Sequence, residues 1–297
     1  MRKIFRHLLN CPKKLFLAIL VRIAPIVPDK LYLKWRYRLE MGAKLDLNNP
    51  QTFSEKLQWL KLYNRKPEYT TMVDKYAAKK YVASIIGEEY IIPTIGVWES
   101  FDEIDFNKLP NQFVLKTTHG GGSSGVVICK DKATLDIEQA KAKLNRSLNK
   151  CIYRTFREWP YKNVKPRIIA EEFIGSGDIE DYKFSCYNGV ATDVMICMDR
   201  GTGDTKFYFF DQEWNLLRYN KRGLAAPEGF TIPAPKNIDK MFEIAGRLSK
   251  GIPYLRVDLY NIDGKIYFGE ITFFPQSGFD SNLLPETEKL FGSRIKL

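Results

Sequence analysis

Histidine is almost missing from this chain, with only His7 and His119 among 297 residues. That scarcity excludes a multi-histidine metal centre and argues against a serine–histidine–acid triad. The five cysteines (Cys11, Cys129, Cys151, Cys186 and Cys197) are odd in number, scattered, and never spaced C-x-x-C. Neither a disulfide framework nor a zinc site is indicated, and a reducing cytoplasm fits. Leu15–Val27 is apolar, but it falls short of the roughly 20 residues that span a bilayer, and Arg22 interrupts it. No small-residue cleavage site precedes Pro28, so a signal peptide is not expected. Acids are nearly absent from residues 1–38, where Asp29 stands alone against ten Lys and Arg. That segment carries +9 of the chain's net +11, so the remaining residues are close to neutral. No recognition motif accompanies the charge, and nucleic acid is not an expected partner. Internal repeats, a G-x-x-x-x-G-K-[ST] loop, an Asp-x-Asp pair and the His-Arg-Asp and Asp-Phe-Gly signatures of protein kinases are all lacking.

What is present is a hairpin, RVDLYNIDGKIYFGEIT, from Arg256 to Thr272. Asp263-Gly264 marks the turn, and a three-residue loop over Ile262, Asp263 and Gly264 would pair Asn261 with Lys265. In that register Arg256 faces Glu270, with Asp258 as its diagonal neighbour. The two-residue period places Arg256, Asp258, Glu270 and Thr272 on one face, and Val257, Leu259, Tyr267 and Ile271 on the other. Two carboxylates and a guanidinium on adjacent strands suit Mg²⁺ serving a polyphosphate, since Mg²⁺ takes oxygen ligands and shares them with phosphates. A solvated hairpin with a salt bridge would carry the same residues.

Two further segments point the same way. FVLKTTHGGGSSGVVI, from Phe113 to Ile128, is an apolar strand ending at Lys116, a loop, and a second apolar strand. Gly120, Gly121, Gly122 and Gly125 let backbone N–H groups close on anionic oxygens, and Ser123 and Ser124 add hydroxyl donors. His119 beside them could touch phosphate or simply hold the loop. RIIAEEFIGSGDIEDYKF, from Arg167 to Phe184, runs from a buried-type strand through Glu171, Glu172, Phe173 and Ile174 to a Gly-Ser-Gly break, then acids, then a strand bearing Lys183. A strand-to-loop hinge with apolar flanks suits adenine, and an acid below it suits ribose.

Taken in order, these motifs resemble the ATP-grasp superfamily, and YRLEMGAKLDLNNPQTFSEKLQWLKLYNR with FVLKTTHGGGSSGV is similar to its TupA-like branch. That branch is associated with teichuronopeptide and other surface-polysaccharide pathways. The resemblance runs from about Asn48 onward. It implies an α+β, ATP-grasp fold, with a nucleotide held between two α+β lobes. It also implies ATP and Mg²⁺ as cofactors. Lys75 and Lys116 would reach phosphates, although Lys79 and Lys80 rival Lys75. The backbone of Glu171–Ile174 would hold adenine and Asp178 the ribose, with Glu180 and Asp181 as rivals. Lys183 would face phosphate or the acceptor. Asp258 and Glu270 would hold Mg²⁺, and Arg256 would neutralise the transferring phosphoryl group. The family's usual Glu-x-Asn is here Glu270-Ile271-Thr272, which puts a second metal ion in doubt.

The implied activity is a carboxylate–amine ligase working through an acyl phosphate. Its expected substrates are a glycan or lipid-linked glycan carboxylate and a small amine. Arg154, Arg157, Arg200, Lys221 and Arg222 are candidates to hold an anionic glycan. A glycosyltransferase of the same pathways and a sugar or lipid kinase stay open as alternatives.

Three segments are expected: a basic helical arm at 1–47, a first lobe at 48–110, and catalytic lobes at 111–297. The arm suits either an anionic membrane surface at the inner face of the cell membrane or packing of its apolar stripe on the body. Helices are predicted from Thr52 or Ser54 onward, at Met72–Ile86, Leu135–Leu148 and Ile238–Leu248. Strands are predicted at Tyr90–Val97, Arg167–Phe173, Tyr182–Tyr187, Thr192–Met198 and Phe207–Phe210. Arg218–Pro235 reads as a mobile loop over the acceptor, and Pro275–Phe279 as a loop closing the site.

Overall fold

Alternating side chains and short turns build two antiparallel sheets in the computed structural model, which describes residues 12–175, 180–199 and 204–297. The first sheet contains β1 (Thr94–Trp98), β2 (Phe113–Thr117), β3 (Val126–Cys129) and β4 (Ile168–Glu172), in the order β1-β4-β2-β3. The second contains β5 (Asp181–Tyr187), β6 (Val190–Met198), β7 (Lys206–Phe210), β8 (Leu216–Leu217), β9 (Leu255–Ile262) and β10 (Lys265–Thr272), in the order β10-β9-β5-β6-β7-β8. The architecture is the expected α+β one.

Each sheet has one oily face and one polar face, as the pleat requires. In the first, Phe113, Leu115, Ile168 and Ala170 pack with Ala140 and Leu144 of the helix Ile137–Leu148. Lys116 and Glu171 lie on the opposite face, since Lys116 pairs with Ile169 and Val114 with Glu171. In the second sheet, Phe184, Val257 and Ile271 sit side by side over the helix Ile238–Leu248, whose Phe242 meets Phe184 edge-on at 4.9 Å. Its other face carries Lys183, Asp258 and Glu270 in one cross-strand row. β5 is buried along its whole length, so both faces of this sheet are covered where it runs.

The helix Phe53–Tyr63 begins at Thr52, whose hydroxyl accepts from the Glu55 N–H while the Glu55 carboxylate accepts from the Thr52 N–H. This capping box satisfies two end donors reciprocally. The helix Pro285–Arg294 crosses its start closely. There Glu288 accepts from the Ser54 N–H (2.9 Å) and hydroxyl (2.8 Å).

Several expectations change. The helix predicted over Met72–Ile86 is two helices, Glu68–Val73 and Ala77–Ile86. Asp74 breaks it by accepting from the N–H groups of Tyr76 and Ala77 and pairing with Arg167 at 2.7 Å. The strand expected from Tyr90 begins at Thr94, because Glu88–Tyr90 forms a 3-10 turn before Pro93. Arg218–Pro235 is not an open loop: it holds the short helix Lys221–Leu224, and the Arg218 guanidinium donates to the carbonyls of Gly223, Leu224, Ala226 and Pro227.

The β9–β10 hairpin also differs in register. Ile262 pairs with Lys265 around a two-residue turn in which Asp263 (φ 53°) and Gly264 (φ 96°) are both left-handed. A bulge between Phe268 and Glu270 then sets Glu270 opposite Asp258 and Thr272 opposite Arg256. Beyond the bulge the register is two residues from the expected one, which keeps Arg256, Asp258, Glu270 and Thr272 on one face. Between turn and bulge it differs by one, so Tyr267 pairs with Tyr260 on the polar face instead of joining Val257, Leu259 and Ile271 as expected. Gly269 sits at the bulge, where a Cβ would come within 3.0 Å of the Asp258 carbonyl oxygen.

Replacing Gly292 by Ala tests the close helix crossing. A Cβ there would lie 2.1 Å from the Gln51 carbonyl oxygen and 2.9 Å from the Phe53 nitrogen, and backbone cannot swing aside. Urea unfolding of Gly292→Ala is expected to show a lower midpoint at unchanged slope, a loss of about 1–3 kcal/mol.

Candidate active site

The polar face of the second sheet meets the first through lysines. Lys183 on β5 contacts Asp181 (2.6 Å) and Asp258 (2.5 Å). Arg256 on β9 binds the same Asp258 with two nitrogens (2.6 and 2.7 Å) and reaches Glu270 (3.3 Å) and the Thr272 hydroxyl (3.1 Å). The period of two on adjacent strands thus gathers five expected residues: Lys183, Arg256, Asp258, Glu270 and Thr272.

Lys75 reaches this group from the glycine-loop side. Its ammonium lies 2.9 Å from Glu270 and donates to the Gly120 carbonyl at 2.7 Å, while its N–H donates to the Thr118 carbonyl. The break made by Asp74 exposes Lys75 to both partners, which an unbroken helix would not. The glycine loop is therefore tied to the β9–β10 hairpin through one lysine.

The loop is shaped by the glycines in a definite way. A Cβ on Gly120 or Gly125 would fall 2.4 or 2.2 Å from the Thr117 hydroxyl, which itself bonds Ser147 at 2.8 Å. Gly122 takes a left-handed φ of 63°. Gly121, Gly122, Ser123 and Ser124 are exposed and make the accessible rim. His119 is buried, with Nε2 3.2 Å from the Lys150 carbonyl, so it anchors the loop rather than lining the cleft.

A second ionic group lies beside the first. Glu171 pairs with Lys79 and with Lys116, both at 2.6 Å. Glu171 and Glu172 are in the β4 ladder, and the Glu172 N–H donates to the Pro93 carbonyl. The hinge backbone outside the ladder thus starts at Phe173 and Ile174, which are half-buried. Asp178 lies outside the described residues, as does Arg200. Of the rivals for ribose, Glu180 is exposed and bonded by the Tyr182 hydroxyl, and Asp181 pairs with Lys183.

The electrostatics follow from burial set against opposite charge. Burial opposes ionisation of Glu270, but Lys75, Lys183 and Arg256 outweigh it and hold the carboxyl well below its ordinary range. Burial likewise opposes the charge on Glu171, and Lys116 and Lys79 again win. Burial opposes the Lys116 charge too, yet Glu171 raises that group above its ordinary value. At Asp258 burial pushes the carboxyl up, against the pull of Arg256 and Lys183. These groups form a seam of alternating charge, the arrangement in which buried ions are tolerable.

Some members were not singled out from sequence. Tyr260 shares the face of Arg256 and Asp258, is half-buried, and feels Lys116, Asp181 and Glu270; simple alternation would have found it. Lys61 and Glu158 carry no such signal. Lys61 is fully buried and donates to Gln58 Oε1, the Phe156 carbonyl and the Ser277 carbonyl (2.7 Å). Burial lowers its ammonium to about 7, with Glu158 opposing that shift. Glu158 accepts from the Ser277 hydroxyl. Together they brace the turn Pro275–Gly278, in which Gln276, Ser277 and Gly278 are all left-handed. The glycan-binding candidates scatter. Arg157 is buried against Asp29 and the Ala24 carbonyl, and Arg222 pairs with Asp204.

Asp258 and Glu270 face each other across strands, with the Thr272 hydroxyl next along, so the donors are all hard oxygens. Among the described residues no group of three or more His, Cys, Asp or Glu stands together as a metal cage. Two carboxylates fit Mg²⁺ that takes its remaining oxygens from phosphates and water, and do not fit zinc.

A family model described as TupA-like ATPgrasp matches residues 55–296. The search of curated proteins gave no match. Among solved structures, D-alanine–D-alanine ligase from Helicobacter pylori is similar at 16% identity and TM-score 0.44, covering 82% of this chain and 69% of that one. D-alanine–D-alanine ligase from Bacillus anthracis is similar at 18% identity and TM-score 0.42, covering 75% and 63%. The ATP-grasp ligase PsnB is similar at 10% identity and TM-score 0.40, covering 74% and 59%.

The Glu171 group makes a pH prediction. Its native carboxyl sits below the ordinary 4.5, so the native state binds fewer protons than the unfolded chain as pH falls through that value. The stability it contributes is complete above about pH 4.5 and lost progressively below. Glu171→Gln is therefore expected to lower the melting temperature at pH 7, with the gap to wild type narrowing as pH drops from 5 to 3. A gap constant across that range would contradict the ionic role.

Proposed function

From the premise that this chain belongs to the TupA-like ATP-grasp family, we propose that it is an ATP-dependent carboxylate–amine ligase of surface-polysaccharide biosynthesis. The observation that carries this reading is the cross-strand pair Asp258 and Glu270, bridged by Arg256 and faced by Lys75 from the glycine-loop side. A polyphosphate needs cations and N–H donors around it and carboxylates to share its metal, and this cleft brings those groups together.

In the proposed reaction a carboxylate oxygen attacks the γ-phosphorus of ATP. The bond to the β-phosphate oxygen breaks, and ADP leaves with that electron pair. An amine then attacks the acyl carbon, phosphate departs, and the amine nitrogen gives up a proton to solvent. Mg²⁺ on Asp258 and Glu270 would supply charge neutralisation at the phosphates. Lys116 and Lys75 would orient the phosphates, with the rim Gly120–Gly125 covering them. Arg256 would meet the charge developing on the transferred group. Lys183 sits against Asp258 and would hold that carboxylate in place while facing the acceptor side. Phe173 and Ile174 would receive adenine, with Glu171 and Glu172 behind them and Asp178 toward the ribose.

The carboxylate would be of the uronic-acid type on a glycan or lipid-linked glycan, and the amine an amino acid or amino sugar. The likeness of YRLEMGAKLDLNNPQTF to the TupA-like branch supports that substrate class, and the scattered cysteines support a cytoplasmic site. The division into segments 1–47, 48–110 and 111–297 belongs to the same proposal.

Nucleotide binding is measured by thermal shift with ATP, ADP and UDP-sugars in the presence of Mg²⁺. ATP or ADP should stabilise wild type by about 2.7 kcal/mol at roughly a hundredfold excess over Kd, and Glu270→Ala should abolish the shift. With a carboxylate and an amine supplied, free phosphate should appear in step with ADP. Phosphate retained on a stable product would make the protein a kinase, and stabilisation by UDP-sugar alone would overturn the ATP-grasp chemistry.

A further inference from the structure

The helix Asp29–Met41 presents two faces of opposite use. Tyr32, Leu33, Arg36 and Tyr37 are buried against the body. Lys30, Leu31, Lys34, Trp35 and Arg38 are exposed, and their spacing puts them in a single stripe. Leu31 is 40% and Trp35 44% exposed, and they stand together within the basic stripe rather than scattered singly. Ile26, in the turn before this helix, is 83% exposed. Phe16 and Ile19 are exposed on the preceding helix Pro12–Ile23, beside Lys14 and Arg22.

The two acids of this segment do not balance the stripe. Asp29 is taken by Arg65 (2.6 Å) and Arg157 (2.9 Å), and Glu40 by Arg36 and Lys13. Among the described residues Lys30, Lys34 and Arg38 have no ion-pair partner. Further, the helix pair is firmly seated. The Tyr32 hydroxyl and the Arg36 guanidinium both donate to the Thr155 carbonyl at 2.7 Å, and Arg157 donates to the carbonyls of Ala24 and Val27. Packing of the arm on the body thus consumes one face and leaves the cationic, aromatic one outward.

We propose that this outward face docks on an anionic lipid bilayer. Interleaved cations and Trp or Leu match the headgroup boundary, where charge attracts phosphates and the indole sits at the edge of the acyl region. No helix among the described residues is long and apolar enough to cross a membrane, so the contact is one of lying on the surface. A nucleic acid would answer the cations but not the exposed Leu31, Trp35 and Ile26.

Flotation of the full chain with vesicles of phosphatidylcholine, alone or mixed with phosphatidylserine, decides the matter. Binding is expected to the mixed vesicles only, weakening as salt rises and the screening length shrinks. Removing three charges in Lys30→Gln/Lys34→Gln/Arg38→Gln should weaken partition by on the order of a hundredfold. Leu31→Ala/Trp35→Ala should weaken it by about tenfold. Both variants should keep the wild-type melting temperature and the ATP-induced shift, because neither touches the cleft. Absence of binding at low salt, equal binding to both vesicle types, or an undiminished triple variant would each overturn the proposal. So would binding to duplex DNA or single-stranded RNA without binding to the mixed vesicles.

Discussion

Charge balance in a largely buried seam, half-buried at its edges, is the constraint on which the rest depends. Six ionic side chains, Lys75, Lys116, Lys183, Arg256, Asp258 and Glu270, meet where two sheets face each other, and each is held by a neighbour of opposite sign. A buried ion is costly unless paired, so removing one member leaves its partner exposed to the same penalty. The arrangement dictates local structure in turn. The helix must break at Asp74 for Lys75 to reach across, and the β10 bulge must bring Glu270 opposite Asp258. The glycines must let Thr117 and Ser147 approach for the Gly120 carbonyl to meet Lys75.

The sheet faces were legible in the sequence because a period of two is robust. Beyond its bulge the register of the β9–β10 hairpin differs by two residues from the one its turn suggests, yet Arg256, Asp258, Glu270 and Thr272 share a face in both. The even shift beyond the bulge moves neighbours but not sides, whereas the odd shift before it carries Tyr267 to the polar face. Turn chemistry was less legible: Asp263-Gly264 serves a two-residue or a three-residue loop, and the compensating bulge at Gly269 leaves only a glycine as its mark. The break at Asp74 was hidden by a continuous helical pattern, because an aspartate that caps and an aspartate on a helix face look alike until Arg167 is placed against it.

Residues joined only in three dimensions were not legible at all. Lys79 on the helix Ala77–Ile86 and Lys116 on β2 share Glu171, which stands on β4. Lys61, Glu158 and Ser277 come from three separate segments. Arg157 looked like a ligand for an anionic glycan, and what it holds instead is the N-terminal helix pair. A cation's sign is visible in sequence, but whether solvent, a carbonyl or a substrate receives it depends on the fold.

The turn after β10 carries an implication for the order in which the molecule assembles. Two successive left-handed residues, Gln276 and Ser277, go against the intrinsic bias of an L-amino-acid chain before Gly278 continues the turn freely. Their shape is secured by Gln58 and Lys61, whose side chains bind the Ser277 carbonyl from 219 and 216 residues earlier in the chain. During synthesis the helix Phe53–Tyr63 is therefore made first, and Lys61, which also donates to Gln58 Oε1 and the Phe156 carbonyl, gains the Ser277 carbonyl only after 216 further residues. The turn beyond Thr272 thus joins the β9–β10 hairpin, made just before it, to a helix made some two hundred residues earlier.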